Sequence, residues 1–327
     1  MIIKLIDINE NLYFFKEISE FNILSDLSIA ASQLNITINI NEPINILMHE
    51  IELIDNDINI FKGYIDHQQI EKDINGYKIK FLARSYASVL LDNQASPQIY
   101  QNISLKEILK KHIYPYGFNI KNIDQNMLNC SLKTFTVFPF MSQWSVLETF
   151  MNQALNSFPY IIKEKTISSS KTFINTPVTV SNQEPQCLNY NKQNYNYANI
   201  SISYNPISII SDIYIKTPNN YTNHIENQLA KKNKIKSIRY SNFPHQQIND
   251  QIKKQNTSFF SLSLVIPDLL PLNIGNIITV TDEIIPKNVS NNQFIIKKIY
   301  LIYKKNNLSS YLLLVPLNKK DNLTEEK

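Results

Sequence analysis

The chain has 327 residues, 43% of them apolar and 18% charged, which fits two or three folded domains and excludes a disordered polymer. A formal charge of +4 is too mild for a protein that lives on nucleic acid, and the densest basic run (Lys231, Lys232, Lys234, Lys236, Arg239) reads as a solvated face. The opening MIIKLIDINE is too short and too early charged for a signal peptide, and no later stretch reaches membrane-spanning length, so synthesis in the cytoplasm is expected. There are only 4 glycines, and arginine stands only at Arg84 and Arg239. That is the bias of an AT-rich genome, in which Lys replaces Arg and Asn is expected to take the left-handed turn positions.

Residues 1–92 read as mostly β. Ile2–Ile8 is a short β-branched run, Asn35–Ile40 alternates apolar and polar, and Asn45–Leu53 is a further strand candidate before the turn-like Asp55-Asn56-Asp57. Ile58–Ile65 carries Gly63 inside a strand, the mark of a bulge or a close backbone approach. Asn75-Gly76, between Glu71–Ile74 and Tyr77–Leu82, predicts a type I′ hairpin turn.

From residue 93 the character changes. Ser104 and Glu107 form a capping box, Ile103 and Ile108 its hydrophobic staple, and Leu105, Ile108, Leu109, His112 and Ile113 follow helical spacing until Pro115 and Gly117 stop the helix. A second helix starts near Ser142, presents Trp144, Leu147, Met151, Ala154 and Leu155 on one face, and is expected to end at Pro159. Tyr160–Ile174 predicts a hairpin turning at Ser168-Ser169-Ser170, and residues 175–194 a polar loop. Asn199–Thr217 returns to β, residues 218–257 are weakly helical around His245–Lys254, and the runs after Ser258 are strongly β. The end, residues 318–327, lacks apolar content and is expected to fray.

The residues that could carry chemistry do not assemble by spacing. His49, His67, His112, His224 and His245 form no HExxH or HxxxH pattern, and Cys130 and Cys187 have no CxxC partner and read as two reduced thiols, with a single disulfide as the alternative. No GxSxG, P-loop or GxGxxG exists, so neither a metal nor a cofactor is expected. The acid groups Asp55/Asp57, Asp66 with Glu71 and Asp73, and Asp282/Glu283 sit beside turns, where acids are turn formers, and no pair is placed across a cleft as glycoside hydrolysis requires. Trp144 reads as core; Tyr190, Tyr195 and Tyr197 are the one polar aromatic cluster, more suited to packing than to a sugar platform.

The order of segments resembles the phage tail baseplate hub family, the Mu-type hub and late-control D-like tail proteins. The segments are FKGYID (Phe61–Asp66) and LARSYASVLLDNQAS (Leu82–Ser96), the latter with Arg84, Ser85, Leu91, Asp92, Ala95 and Ser96 in place and Ala83 where the family has glycine. They continue with ISLKEILKKHIYPYGFNI (Ile103–Ile120), the Trp144–Leu147 helix with Asn156-Ser157 in place of a glycine, ISIISDIYIKT (Ile207–Thr217), and the three runs LPLNIGNIITVTDEII, FIIKKIYLIY and YLLLVPL.

The resemblance implies an α+β, mainly β fold: two similar β-barrel tube-type domains plus an α+β domain, the chain crossing between them. By that pattern residues 1–92 form the first barrel, 93–190 with 218–257 the α+β domain, 191–217 with 258–317 the second barrel, and 318–327 a flexible tail. It implies no enzyme but a virion structural protein, a homotrimeric ring that adapts a sixfold tail tube to a threefold spike. Tube, spike and other baseplate proteins are its partners, and DNA only passing cargo. Arg84, Asp92, Ser104, Glu107, Gly117 and Trp144 are its structural landmarks, with Arg84 and Asp92 expected to make an inter-strand or inter-domain ion pair and not to act on a substrate. The alternatives are a tail-associated peptidoglycan hydrolase or cell-wall-binding module, and the hub part of a secretion-system spike.

Overall fold

The computed structural model describes every residue except 43–45, 75, 172, 182–192, 218–219, 242–247, 249–251, 253–255, 257–258, 271, 287–291, 305 and 318–327. Two compact units emerge, and the chain alternates between them. The first comprises Met1–Thr176, Val265–Ile277 and Ile296–Leu312; the second Pro177–Leu264, Ile278–Ile295 and Leu313–Lys327. As expected the fold is mainly β, with several sheets.

The strands that open the first unit are β1 (Ile2–Asp7), β2 (Leu12–Phe15), β3 (Ile18–Asp26), β4 (Gln33–Ile40), β5 (Met48–Asp55), β6 (Ile58–Asp73) and β7 (Gly76–Ser85). They pair antiparallel in the order β3-β4-β7-β6-β5-β1-β2. Alternation sets one face inward: Leu34, Ile36 and Ile38 of β4 are buried beside Ile79, Phe81 and Ala83 of β7, and Ile51 and Leu53 of β5 beside Leu5 and Ile3 of β1. The sheet must curl strongly. β2 and β3 stand at opposite ends of the seven-strand order, about 29 Å apart if the strands lay flat at ~4.8 Å spacing. Yet only Lys16 and Glu17 separate them in the chain, a reach of about 10 Å. No ladder joins β2 to β3 among the described residues, so the curl stays an open sheet.

Two turns in this sheet were legible. Asn56 and Asp57 both have positive φ, 46° and 64°, and close the β5–β6 hairpin between the paired Asp55 and Ile58. The second turn is shifted from its expected place. Asp73 pairs with Gly76, so Gly76 (φ 118°) opens β7 instead of lying in the turn; Asn75 lies outside the described residues. Asparagine does take the left-handed positions, filling six of the eleven positive-φ non-glycine sites described.

The first unit continues with α1 (Ser88–Asp92), β8 (Gln98–Ser104), α2 (Leu105–His112), β9 (Asn119–Ile120), α3 (Gln125–Asn129), β10 (Ser131–Val137), α4 (Gln143–Leu155), β11 (Pro159–Lys163) and β12 (Thr166–Ser169). The capping box forms: Glu107 N–H donates to Ser104 Oγ at 3.4 Å and Ser104 N–H to Glu107 Oε2 at 2.9 Å. Ile103 and Ile108 are both buried in the helical core, as are Trp144, Leu147, Phe150 and Met151 of α4. Gly117, at φ 77°, ends the short 3-10 turn Tyr114–Tyr116.

Three expectations in this region are corrected. Helix α4 stops at Asn156, which is left-handed at φ 50°, before Pro159 can act; the proline opens β11 instead. The hairpin turns at Glu164-Lys165, and Ser168 and Ser169 are fully buried strand residues, because their side chains face protein where a turn serine would face water. Residues 175–194 are not all loop.

The chain goes on as β13 (Ile174–Ser181), β14 (Gln193–Tyr195), β15 (Asn199–Tyr204), β16 (Asp212–Lys216), β17 (Tyr221–Glu226), α5 (Gln228–Lys232), β18 (Ile238–Ser241), β19 (Phe260–Ile266), β20 (Asn276–Thr281), β21 (Gln293–Lys304) and β22 (Asn307–Pro316). β13 and β14 pair parallel from Val178↔Gln193 to Val180↔Tyr195. Val178 and Val180 supply the buried alternation that the surrounding polar residues hid.

In the second unit β16 is the centre strand of β17-β16-β18, and Ile213 and Ile215 pack with Ile248 and Ile252. Most of the expected helix at His245–Lys254 lies outside the described residues. In the first unit Lys298–Lys304 of β21 pairs with β3 along its free side, as far as Lys304↔Glu20.

Candidate functional site

Five of the seven acids that a hydrolase could draw on, Asp55, Asp66, Glu71, Asp73 and Asp282, are engaged structurally. Asp55 meets the amino terminus at 3.3 Å, Glu71 and Asp73 pair with Lys80 and Lys78, and Asp282 accepts from the hydroxyl of Tyr197. Burial and that carboxylate push the Tyr197 hydroxyl up to about 12. Cys130 is free, its Sγ 3.2 Å from the carbonyl of Ala154; Cys187 and Tyr190 lie outside the described residues. Among the described residues no three ligating side chains gather, and no helix is long and apolar enough to cross a membrane.

Arg84 is the hub of a charged cluster on the outer side of the sheet. Its guanidinium makes a fork to Asp66 (2.7 and 2.9 Å) and a second to Asp92 (2.9 and 2.7 Å). Both carboxylates use the planar geometry that only arginine offers, which ties α1 to β6 and β7. The Arg84 hydrogen bonds hold Asp92 below the usual carboxylate range. The pairing of Arg84 with Asp92 was legible; the fork to Asp66 needs the β6–β7 register, which sets Tyr64 opposite Arg84.

Beside it, Glu52 is almost buried. Burial alone would raise its pKa, but Lys62 at 2.7 Å and Lys4 at 3.5 Å outweigh that and lower it. Tyr86 donates to Glu50 at 2.7 Å, and burial followed by that carboxylate drives its pKa far up. Lys4 and Lys62 with Glu52, and Tyr86 with Glu50, are thus structural partners across neighbouring elements.

His112 lies at the centre of a buried polar chain. Its Nε2 is 3.0 Å from Tyr100 Oη and its Nδ1 2.7 Å from Gln143 Oε1, while Gln143 Nε2 donates to the carbonyl of Gln94. Since Gln143 Oε1 can only accept, Nδ1 carries the proton and Nε2 accepts from Tyr100. Burial lowers the His112 pKa below the ordinary 6.5, with Lys111 adding to the effect. The folded value is the depressed one. The stability it contributes is therefore complete above the unfolded value near 6.5 and is lost as pH falls through the folded value. Thermal melts are expected to fall between pH 7.5 and 5, and His112→Asn is expected to flatten that slope although it lowers the melt at neutral pH. A wild-type melt that is level across this range is the contrary result.

The remaining distinctive surface is the corner made by β1 and β2. β2 pairs only with β1 among the described residues, and β21 stops alongside β3 at Glu20, so the other edge of β2 carries no strand. Leu12 opposes Ile6 and Phe14 opposes Lys4, on the side of the sheet away from Leu5 and Ile3. Leu12 is 53% and Phe14 62% exposed. At the adjoining turn Ile8 is 62% and Leu47 60% exposed, and Ile8 N–H donates to the carbonyl of Leu47 at 3.4 Å. Sequence reading passed over residues 9–34; the alternation of Leu12 and Phe14 with tyrosine was the available signal.

No protein-family model and no curated protein matches the sequence significantly. The fold does match. It is that of phage tail proteins and of their counterparts in type VI secretion. The 43 kDa tail protein of prophage MuSo2 from Shewanella oneidensis superposes with a TM-score of 0.75 at 12% identity, over 96% of this chain and 98% of that one. A tail protein from Neisseria meningitidis gives 0.66 at 12% identity, over 96% and 95%. An E. coli type VI secretion component, itself similar to the T4 bacteriophage tail proteins gp27 and gp5, gives 0.57 at 11% identity over 93% of this chain and 74% of that one.

Proposed function

We propose that this chain is a structural hub of the baseplate of a phage tail or tail-derived particle. In this reading it works as a homotrimeric ring that adapts a sixfold tail tube to a threefold spike. The observation that supports the reading best is the end-to-end likeness of its fold to tail proteins. Each copy would place two barrel-type domains in the ring, residues 1–92 and residues 191–217 with 258–317, so three copies present six similar units to the tube. Residues 93–190 with 218–257 form the α+β part outside. Tube, spike and other baseplate proteins are the partners, and DNA passes through without specific contact. The charged groups described above, each already tied to a partner, suit a scaffold and not an enzyme.

The test is size exclusion with light scattering, followed by negative-stain electron microscopy. A trimer with a ring-shaped projection is expected; a stable monomer at about 10 µM overturns the reading. A second reading, the hub part of a secretion-system spike, is favoured by the likeness to the E. coli secretion component. The neighbouring genes separate the two: a tape measure and tail tube for the first, secretion sheath and membrane-complex genes for the second.

A further inference from the structure

We propose that the outer edge of β18 is a docking site for an extended acidic segment of another protein, which adds a strand beside β18 and sets an aromatic side chain against the ring of Tyr240. The whole surface lies in the second unit, and it does not depend on the hub reading.

Three observations carry it. First, the edge is open. Among the described residues β18 pairs with β16 alone, parallel and in the register Asp212↔Ile238, Ile213↔Arg239 and Tyr214↔Tyr240. The inner face of this sheet is covered, since Ile213 and Ile215 pack with Ile248 and Ile252. A strand held on one side and uncovered on the other is a template for one more.

Second, a row of rings crosses the outer face and stops at that edge. His224 of β17 stacks on Tyr214 of β16 at 4.7 Å and 18°, and Tyr214 stacks on Tyr240 of β18 at 5.5 Å and 25°. Tyr221 meets Tyr240 edge-on at 5.3 Å. Tyr240 is nevertheless 67% exposed. A strand beside β18 places a side chain next to Tyr240 as β16 places Tyr214, so an aromatic residue there extends the row.

Third, the edge is cationic. No acid stands between Glu226 and Asp250. Lys231 pairs with Glu226 at 2.9 Å, whereas Lys232, Lys234, Lys236 and Arg239 are exposed and make no ion pair among the described residues. Carboxylates on the incoming segment complement them. A single-stranded nucleic acid also uses rings and cations, but the sheet disfavours it. Asp212 and Glu226 oppose each other on the same face as the rings, and Asp212 holds His224 at 2.8 Å. A phosphate chain laid over the rings meets both carboxylates. A strand beside β18 lies on the cationic side and also gives the backbone of the edge its partner.

The experiment measures binding of a fluorescent peptide, Glu-Val-Glu-Tyr-Glu-Val-Glu, to the full-length protein by anisotropy at low ionic strength. The same peptide with lysine for glutamate, and a single-stranded oligothymidylate, are the comparisons. The acidic peptide is expected to bind and to weaken with salt. Lys236→Glu/Arg239→Glu is expected to weaken it at least about tenfold, because like charges then face each other. Tyr240→Ala is expected to weaken it about fivefold, as loss of an aromatic pair does. Lys106→Glu/Lys133→Glu, the same charge change at exposed positions of the first unit, should leave it unchanged. All of these side chains are exposed, and circular dichroism checks that the variants fold. Hydrogen exchange of the wild type needs no variant: the Ile238–Tyr240 amides should slow when the acidic peptide is added. No binding of the acidic peptide, equal binding of the lysine peptide, tighter binding of the oligothymidylate, or equal losses in both double variants overturns the inference. So does protection of these amides that follows protein concentration without peptide, which would make the occupant a second copy.

Discussion

Replacing Gly63 with alanine is expected to lower stability by about 3 kcal/mol or more, a large part of what a domain of this size possesses. The cause is backbone against backbone. A Cβ at position 63 would lie 2.1 Å from the carbonyl oxygen of Arg84, 2.7 Å from its carbonyl carbon and 2.8 Å from Cα of Ser85. No rotamer relieves that contact, because none of the three atoms belongs to a side chain. Gly63 pairs with Ser85 and the next pair is Tyr64↔Arg84, so relief requires opening the β6–β7 ladder where it carries Arg84. The loss should therefore include the double fork to Asp66 and Asp92 and loosen α1. Urea titration with a probe in each unit measures it. A midpoint within experimental error of wild type would mean that the strands separate freely at this point.

Gly275→Ala is expected to cost about 2–4 kcal/mol, by a different route. The residue sits at φ 78°, where a side chain costs ~1–2 kcal/mol, and its added Cβ would meet the ring of Tyr160 at 2.5 Å. Tyr160 is 1% exposed and has little room to retreat, while the N–H of Gly275 donates to the carbonyl of Ile296 at 2.9 Å and holds the backbone in place. The two causes separate in a double-mutant cycle with Tyr160→Leu. If the ring contact matters, the pair should cost at least ~1 kcal/mol less than the sum of the singles, leaving the backbone component; strict additivity would assign the whole effect to φ.

These two glycines show how differently parts of the chain were legible. Gly63 stood out because glycine is scarce and lay inside an apolar alternating run, and a close backbone approach was the natural reading. Gly275 lies in a stretch that the family resemblance marks as strand, and its contact with Tyr160, over a hundred residues earlier, is invisible in one dimension. The capping box at Ser104 and Glu107 and the buried helix face of Trp144 are local rules, set within one or two turns, and they formed as written. The turn at Ser168-Ser169-Ser170 failed because serine's turn preference is weak, and burial in a strand overrides it. β13 was missed because only Val178 and Val180 signal it among polar neighbours.

The candidate site divides in the same way. Arg84 and Asp92, eight residues apart, could be paired from sequence. Asp66 joins them only through the register of two long strands, and Glu52 meets Lys4 and Lys62 only because β5 lies between β1 and β6. The open edge of β2 is a property of which strands end where.

By itself, then, the sequence determined the mainly β character, the capped helices, the use of asparagine at left-handed turns and the lack of any spaced catalytic motif. These depend on periodicity and on local backbone preference, which act over a few residues. Only the tertiary structure decided the strand order, the curl that brings β2 and β3 together without joining them, the three-way Arg84 cluster and the exposed corner at Leu12 and Phe14. Those depend on contacts between residues distant in the chain, where register and the ends of neighbouring strands decide what is covered and what stays open.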